Sequence, residues 1–220
     1  MPRLSIDPSL QQKCPRVALG LVIAHVRVEE HSAPLLDEMK QCESSILKLP
    51  EPRVVFESSK ILATRAGYKA LGKDPARYRG SAEALIRRIL SGKHFPQINT
   101  VVDIINLVSV ETRLSIGLYD LVHIQGDIIF RAGRPGETYK GIGKYDLNLE
   151  DLPVFSDDQG PHGSPTSDSE RTMVTLATTH VAAIFISFGG LESLQESCDR
   201  MAALLTQYVQ GHDISIEIVK

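Results

Sequence analysis

The sequence predicts an α/β (α+β) fold, in which helices pack on a mixed β-sheet within a single domain spanning residues 1–220. A valine-rich segment over residues 16–28 is typical of a buried strand. Helical patterns follow it, short strands dominate the middle of the chain, and a helix and an alternating strand close it. With 220 residues, of which 42% are hydrophobic, the chain is long enough to bury a core without disulfides or metals.

Three helices are predicted before residue 92. In the first, Ser32 is the expected N-cap, and apolar residues recur at helical spacing until Pro50. The second is predicted over residues 52–72, where Gly72 ends the pattern. The third has Ser81 as its expected N-cap and Gly92 as its end.

A fourth helix, beginning at Asn99 or Thr100, carries an unusual polar flank. Asp103 and Asn106 are three residues apart and therefore lie on the same side of this otherwise apolar helix. Because Asn lowers helix propensity, a tertiary contact or a ligand should explain Asn106. The alternative is a buried amide that hydrogen-bonds to loop backbone.

The pattern then changes to short strands, and the chain ends with a helix and a strand. Strands are predicted over residues 114–121, 126–133, 153–157, 171–176 and 181–189, a long polar loop over residues 156–170, a helix over residues 191–211 and a final strand from residue 213. A polar loop of that length in a compact domain is often functional.

Several classes of protein are disfavoured by composition and motifs. The three cysteines are widely spaced and the seven histidines are scattered, so we expect neither disulfides nor a metal site. No nucleotide-binding loop or hydrolase motif stands out, so no cofactor is predicted. No apolar run is long enough to span a membrane, and the N-terminus lacks the apolar core of a signal peptide; a cytoplasmic location is therefore expected.

Charge is distributed unevenly along a chain whose net charge is -3. Residues 60–93 contain nine basic residues against two acidic ones. Such a segment indicates a phosphate-bearing partner, and the alternative is a solvated helical surface. Four of its arginines, Arg77, Arg79, Arg87 and Arg88, surround the third predicted helix.

Four segments in a fixed order carry a family resemblance: "RYRGSAEALIRR", "INTVVDIINLVSVET", "IGLYDLVHIQGDIIFRAGRPGE" and "DSERTMVT". Together they resemble the B3/B4 domain, the editing domain of the phenylalanyl-tRNA synthetase beta subunit, and in particular its free-standing relatives. The likeness runs over residues 77–189, about half of the chain, while the flanking elements over residues 16–72 and 191–220 carry no motif.

The resemblance implies an α/β domain that acts on the aminoacylated 3′ end of tRNA. It also implies that the tRNA backbone meets Arg77, Arg79, Arg87 and Arg88. In the synthetase, this domain hydrolyses tyrosine mistakenly esterified to phenylalanine tRNA. Carried over, the likeness implies that the loop over residues 156–170 closes over the aminoacyl end. It assigns catalytic positioning of water and substrate to Asn106, Ser169 and Thr172, and substrate binding to Asp103, Asp120 and Arg171.

Two departures from the family pattern bear on catalysis. Gly117 stands where the synthetase form has the histidine of "HAFD", and the strand over residues 181–189 offers no carboxylate. Two functions therefore remain open. One is the hydrolysis in trans of mischarged aminoacyl-tRNA, by a water held between polar groups. The other is a module that binds tRNA or an amino acid without turnover.

Overall fold

A computed structural model describes residues 1–143 and 145–220. The α-helices of this part of the chain are α1 (Pro8–Lys13), α2 (Ala33–Leu47), α3 (Ser59–Ala70), α4 (Ser81–Leu90), α5 (Thr100–Thr112) and α6 (Leu194–Val209). The strands are β1 (Leu4–Ile6), β2 (Ala18–His25), β3 (Ser115–Asp120), β4 (Ile128–Ala132), β5 (Thr138–Lys140), β6 (Asp146–Asn148), β7 (Pro153–Asp157), β8 (Gly160–Gly163), β9 (His180–Ser187) and β10 (His212–Val219).

Two four-stranded sheets and a small ribbon organise these strands. The main sheet is antiparallel and has the order β10-β2-β9-β3, so β3 is an edge strand. The second sheet, β1-β4-β7-β8, is mixed because β1 and β4 run parallel. Strands β5 and β6 form a separate two-stranded ribbon. The predicted α/β fold with a mixed sheet and packed helices is confirmed.

The main sheet separates two hydrophobic cores. One face packs against α2, α4, α5 and α6, with Ile116 and Leu118 of β3 on that side. The other face packs against the second sheet, and Tyr119 of β3 lies in that inter-sheet core. Because successive residues of a strand point to opposite faces of the sheet, β3 contributes side chains to both cores.

Most elements follow the sequence pattern, including the strand β2, the helices α2 and α6 and the final strand β10. Helix α5 begins as expected, because the side chain of Asn99 accepts a hydrogen bond from the Val102 N–H at 3.0 Å. At α4 the N-cap is Gly80, and Ser81 is the first helical residue.

Three local expectations are wrong. The single helix predicted over residues 52–72 is divided into a 3₁₀ turn (Pro52–Glu57) and α3, because Ser58 has an extended ψ of 133°. Part of the loop expected over residues 156–170 is a hairpin of β7 and β8. The strand expected over residues 171–176 is absent; a 3₁₀ turn, Glu170–Thr172, begins there after Ser169 caps the Arg171 N–H.

Candidate functional site

A cavity of about 240 Å³ lies between α4, α5 and the edge strand β3. Its walls are mainly aliphatic, and the 168–174 segment closes one side. The apolar lining residues are Leu85, Ile98, Val102, Ile105, Ile116, Leu118, Ile142, Met173 and Val174, and the polar ones are Ser81, Asn106, Ser109 and Asp168. Ligand pockets for drug-sized molecules measure roughly 300–1,000 Å³, so this cavity suits a smaller group.

Asn106 reaches the cavity from the middle of α5. Its side chain is partly exposed, and it makes no hydrogen bond within residues 1–143 and 145–220. The carboxamide therefore keeps both its donors and its acceptor available. A mid-helix Asn whose amide faces a cavity without a protein partner is what a ligand-binding role would require.

Asp103, on the same flank of α5, has a different environment. It is fully buried, and one carboxylate oxygen accepts the Ile98 N–H at 3.0 Å while the other has no hydrogen-bond partner in the described chain. Burial raises the pKa of Asp103. Asp103 does not line the cavity; it fixes the turn that leads into α5, and Ile98 and Val102 of this region do line it.

Asp168 is a cavity residue that our sequence analysis did not single out. Its carboxylate accepts the Leu118 N–H of the β3 edge at 3.4 Å and the Tyr119 hydroxyl at 3.1 Å. Burial, together with this carboxylate, raises the pKa of Tyr119 well above its usual value. The only signal in the sequence was its position at the start of the quoted stretch "DSERTMVT".

The three residues that follow Asp168 in our prediction, Ser169, Arg171 and Thr172, lie beside the cavity and do not line it. Ser169 accepts the Arg171 N–H at 3.2 Å, and the Thr172 hydroxyl is buried with no partner in the described chain. Arg171 binds both carboxylate oxygens of Asp157, at 2.8 and 3.0 Å. It also donates to the His123 carbonyl at 2.9 Å. These contacts hold the 168–174 segment against the β7–β8 hairpin.

The Asp157–Arg171 pair has a buried neighbour, His162. Burial opposes the ionised form of Asp157, but the Arg171 guanidinium and the Gln125 N–H lower the pKa of this carboxyl overall. Burial lowers the pKa of His162 to about 3, and the imidazole packs edge-on against Tyr119 at 4.5 Å between ring centroids. His162 is therefore neutral at physiological pH.

Asp120 is the last residue of β3. One oxygen accepts the Val122 N–H at 3.0 Å, and the other accepts the Thr178 hydroxyl at 2.6 Å. Both oxygens are thus used inside the protein, and the residue does not line the cavity.

The four arginines expected to meet tRNA are all exposed, but their environments differ. Arg87 pairs with Glu83 at 2.8 Å and stacks over the Phe56 ring, and Arg88 donates to the His94 carbonyl at 2.5 Å. Arg77 and Arg79 make no ion pair within the described residues. They are the more available cations of this surface.

These observations define an α/β domain whose cavity is enclosed by two helices and the edge strand of an antiparallel sheet. The chain belongs to the B3/4 domain family, whose model matches residues 63–209. Its fold is similar to an N-terminal fragment of the phenylalanyl-tRNA synthetase beta-subunit from Pyrococcus horikoshii, with a TM-score of 0.51 and 16% sequence identity. That match covers 99% of this chain and 50% of the fragment, so the chain spans about half the length of the fragment.

No curated protein matches this sequence. None of the helices in the described parts of the chain is both long enough and apolar enough to cross a membrane. Within the same residues, no group of three or more His, Cys, Asp or Glu side chains is arranged to hold a metal ion.

Proposed function

We propose that this protein binds the aminoacylated 3′ end of a tRNA and hydrolyses the ester of a mischarged amino acid in trans. The observation that carries the proposal is the cavity of about 240 Å³, which is lined by Asn106, whose amide has no hydrogen-bond partner among the described residues. Membership of the B3/4 domain family and the likeness to a synthetase fragment support a tRNA-related role. A tRNA substrate also fits the cytoplasmic location expected from the sequence.

In the proposed reaction, a water molecule attacks the carbonyl carbon of the ester. The water's oxygen bonds to that carbon, the bond between the carbon and the ribose oxygen breaks, and the ribose oxygen takes up the proton that the water releases. The free amino acid and the uncharged tRNA then leave. The Asn106 N–H groups donate to the carbonyl oxygen as it gains negative charge, which is the usual work of an oxyanion site. The Asp168 carboxylate, fixed by Leu118 N–H and the Tyr119 hydroxyl, orients the attacking water.

In this proposal, the other site residues predicted from the sequence do not touch the substrate; they hold the segments that form the cavity wall. Ser169, Arg171 and Thr172 position the segment that carries Asp168, Met173 and Val174. Asp103 and Asp120 position the start of α5 and the end of β3. Their contribution to substrate binding is therefore indirect, through the shape of the cavity.

Docking of the tRNA backbone is assigned to the exposed basic surface before and along α4. Arg77 and Arg79 are the primary phosphate contacts, because Arg87 already pairs with Glu83 and Arg88 with the His94 carbonyl. Guanidinium groups suit this role, since their planar fork matches phosphate oxygens.

A binding module without turnover is the second candidate. The observation in its favour is that no imidazole lines the cavity among the described residues, and that β9 contributes no carboxylate to it. Such a module would hold the aminoacyl end and leave the ester intact.

One experiment separates the two functions. The protein is incubated with a panel of aminoacyl-tRNAs while ester loss and tRNA binding are followed in parallel. Faster ester decay than in buffer, abolished by Asn106→Ala, supports hydrolysis. Binding without faster decay supports the non-catalytic module. If the protein neither binds aminoacyl-tRNA nor speeds ester decay, the proposal is wrong.

A further inference from the structure

A second hollow of the molecule, which we call the α3 groove, lies between α3 and the segment that joins α1 to β2. Its larger part measures about 320 Å³ and is lined by residues 13–16, by one side of α3 and by residues 188 and 189. A smaller part of about 90 Å³ adjoins it, and Arg16, Ala63 and Gly189 line both. No residue of the groove lines the cavity between α4, α5 and β3. The larger part alone falls within the range of roughly 300–1,000 Å³ that is usual for small-molecule sites.

The larger part has apolar walls because α3 contributes only small residues to it. These residues are Ala63, Ala66, Gly67 and Ala70. A Cβ atom on Gly67 would lie 2.3 Å from the Phe188 ring, so this glycine lets the ring pack close to the helix. Burial raises the pKa of Cys14, so its thiol stays neutral and adds no charge to the wall. The larger part therefore suits the apolar body of a ligand.

The smaller part is lined by cations. Arg16 and Lys60 both line it, and Glu192 is the acidic residue in its wall. Arg16 donates a hydrogen bond to the Gly189 carbonyl, but neither cation forms an ion pair within residues 1–143 and 145–220. Lys13 adds a third cation at the larger part. Three cations against one carboxylate give the groove a net positive charge, which complements an anion.

Lys60 is a cation whose charge the fold compensates only in part. Its side chain is partly buried, and this burial lowers the pKa of the ammonium group although Glu192 and Glu196 act in the opposite direction. An anion bound beside Lys60 would favour the charged form and offset the burial. A partly buried lysine that lines a cleft without an ion pair has the environment that is common at binding sites.

We propose that the α3 groove binds a small monocarboxylate that carries an apolar body. The carboxylate accepts hydrogen bonds from Arg16 and Lys60 in the smaller part, and the body packs against the alanines of α3 and Phe188 in the larger part. Glu192 in the same wall repels a second negative charge, so a phosphate dianion is a poorer ligand. This site is separate from the cavity lined by Asn106, and it does not depend on hydrolysis there.

The test uses 3-phenylpropionate, in which a carboxylate is joined to a short apolar body. Binding is measured by calorimetry and by the change of backbone amide shifts in NMR spectra. We expect a Kd of about 1 mM or below, with shifts centred on the amides of Gly67, Gly189 and Gly190. Acetate lacks the apolar body and 3-phenylpropanamide lacks the charge, so each should bind at least about tenfold more weakly.

Three variants test the residues. Lys60→Gln should weaken the binding of 3-phenylpropionate by about tenfold, because it removes a charged donor, and should leave the weak binding of the amide unchanged. The matched control is Lys69→Gln, which removes an exposed lysine of the same helix that does not line the groove; it should keep the wild-type affinity. Ala66→Phe changes an exposed residue of the larger part and should abolish binding by filling it.

Thermal unfolding shows which variants fold, and Ala66→Phe carries the test if Lys60→Gln does not. Several outcomes would overturn the inference. They are an absence of saturable binding, an affinity that Lys60→Gln and Ala66→Phe leave unchanged, and an equal loss in Lys60→Gln and Lys69→Gln. Shifts centred on α5 would place the ligand in the other cavity and would also overturn it. Binding of 2-phenylethyl phosphate as tight as that of 3-phenylpropionate would contradict the assignment of a carboxylate.

Discussion

Replacing Asn106 with alanine distinguishes a ligand-binding amide from a structural one. The side-chain amide makes no hydrogen bond within the described residues, so its removal breaks no hydrogen bond of the folded protein. Alanine is the better helix former by up to about 0.7 kcal/mol, and Asn106 lies in the interior of α5. We therefore expect Asn106→Ala to stabilise the protein by about 0.5 kcal/mol. In a chain of this length, that raises Tm by roughly 1–2 °C.

The same substitution should impair function strongly. Loss of one donor to a developing oxyanion slows hydrolysis by roughly 10²- to 10³-fold. Urea unfolding and ester decay measured on one preparation give both quantities. A structural amide that hydrogen-bonds to loop backbone would behave in the opposite way, since its loss costs roughly 1–3 kcal/mol. A variant that is less stable by more than about 1 kcal/mol, with unchanged ester decay and tRNA binding, would refute the reasoning.

Three further predictions follow from the contacts around the cavity. Because burial lowers the pKa of His162 to about 3, the unfolded chain binds a proton below pH 6.5 that the folded chain does not. As the pH falls from 7 to 5, His162 should therefore lower the unfolding free energy by about 2 kcal/mol. Urea unfolding at both pH values should show this loss in the wild-type protein, and His162→Phe should abolish this contribution. Equal slopes in both proteins would contradict this. Arg171→Ala leaves the fully buried Asp157 carboxylate without its ionic partner, so the unfolding free energy measured in denaturant should fall by about 2 kcal/mol. Arg171→Lys should lower it by less. Unaltered stability would argue against a positioning role for Arg171. The double variant Arg77→Ala with Arg79→Ala should lower the salt slope of tRNA binding by about two, measured between low and moderate salt, and an unchanged slope would remove these arginines from the interface.

The outline of the fold could be predicted because its strongest signals are local. The apolar stripe of α5 and the alternation of β10 follow directly from helix and strand periodicity. The break between the 3₁₀ turn and α3 could not be predicted in the same way, because apolar positions continue across Ser58. The 168–174 segment differs for another reason: the β-branched and apolar residues after Arg171 favour a strand, but Met173 and Val174 contribute to the cavity wall.

Candidate site residues were predictable only where a residue type was out of place on its own element. Asn106 met that condition, because an amide in the middle of an apolar helix costs helix propensity, and it lines the cavity. Ser81 did not, since a serine at the start of a helix has an ordinary explanation as a cap. Asp168 lies in a polar stretch where one more carboxylate carries no local signal; its significance depends on tertiary contacts with Leu118 and Tyr119.

The geometry of β3 explains why a histidine at position 117 would not contribute to this cavity. Ile116 and Leu118 line it, so the residue between them points to the opposite face of the sheet. A Cβ atom on Gly117 would lie 2.1 Å from the Tyr119 hydroxyl, and one on Gly163 would meet the same oxygen at 2.1 Å. The two glycines thus make room for the hydroxyl that donates to Asp168. In this protein the polar group at the β3 edge is the Asp168 carboxylate, and the proposed hydrolysis places the attacking water beside that group rather than beside a residue at position 117.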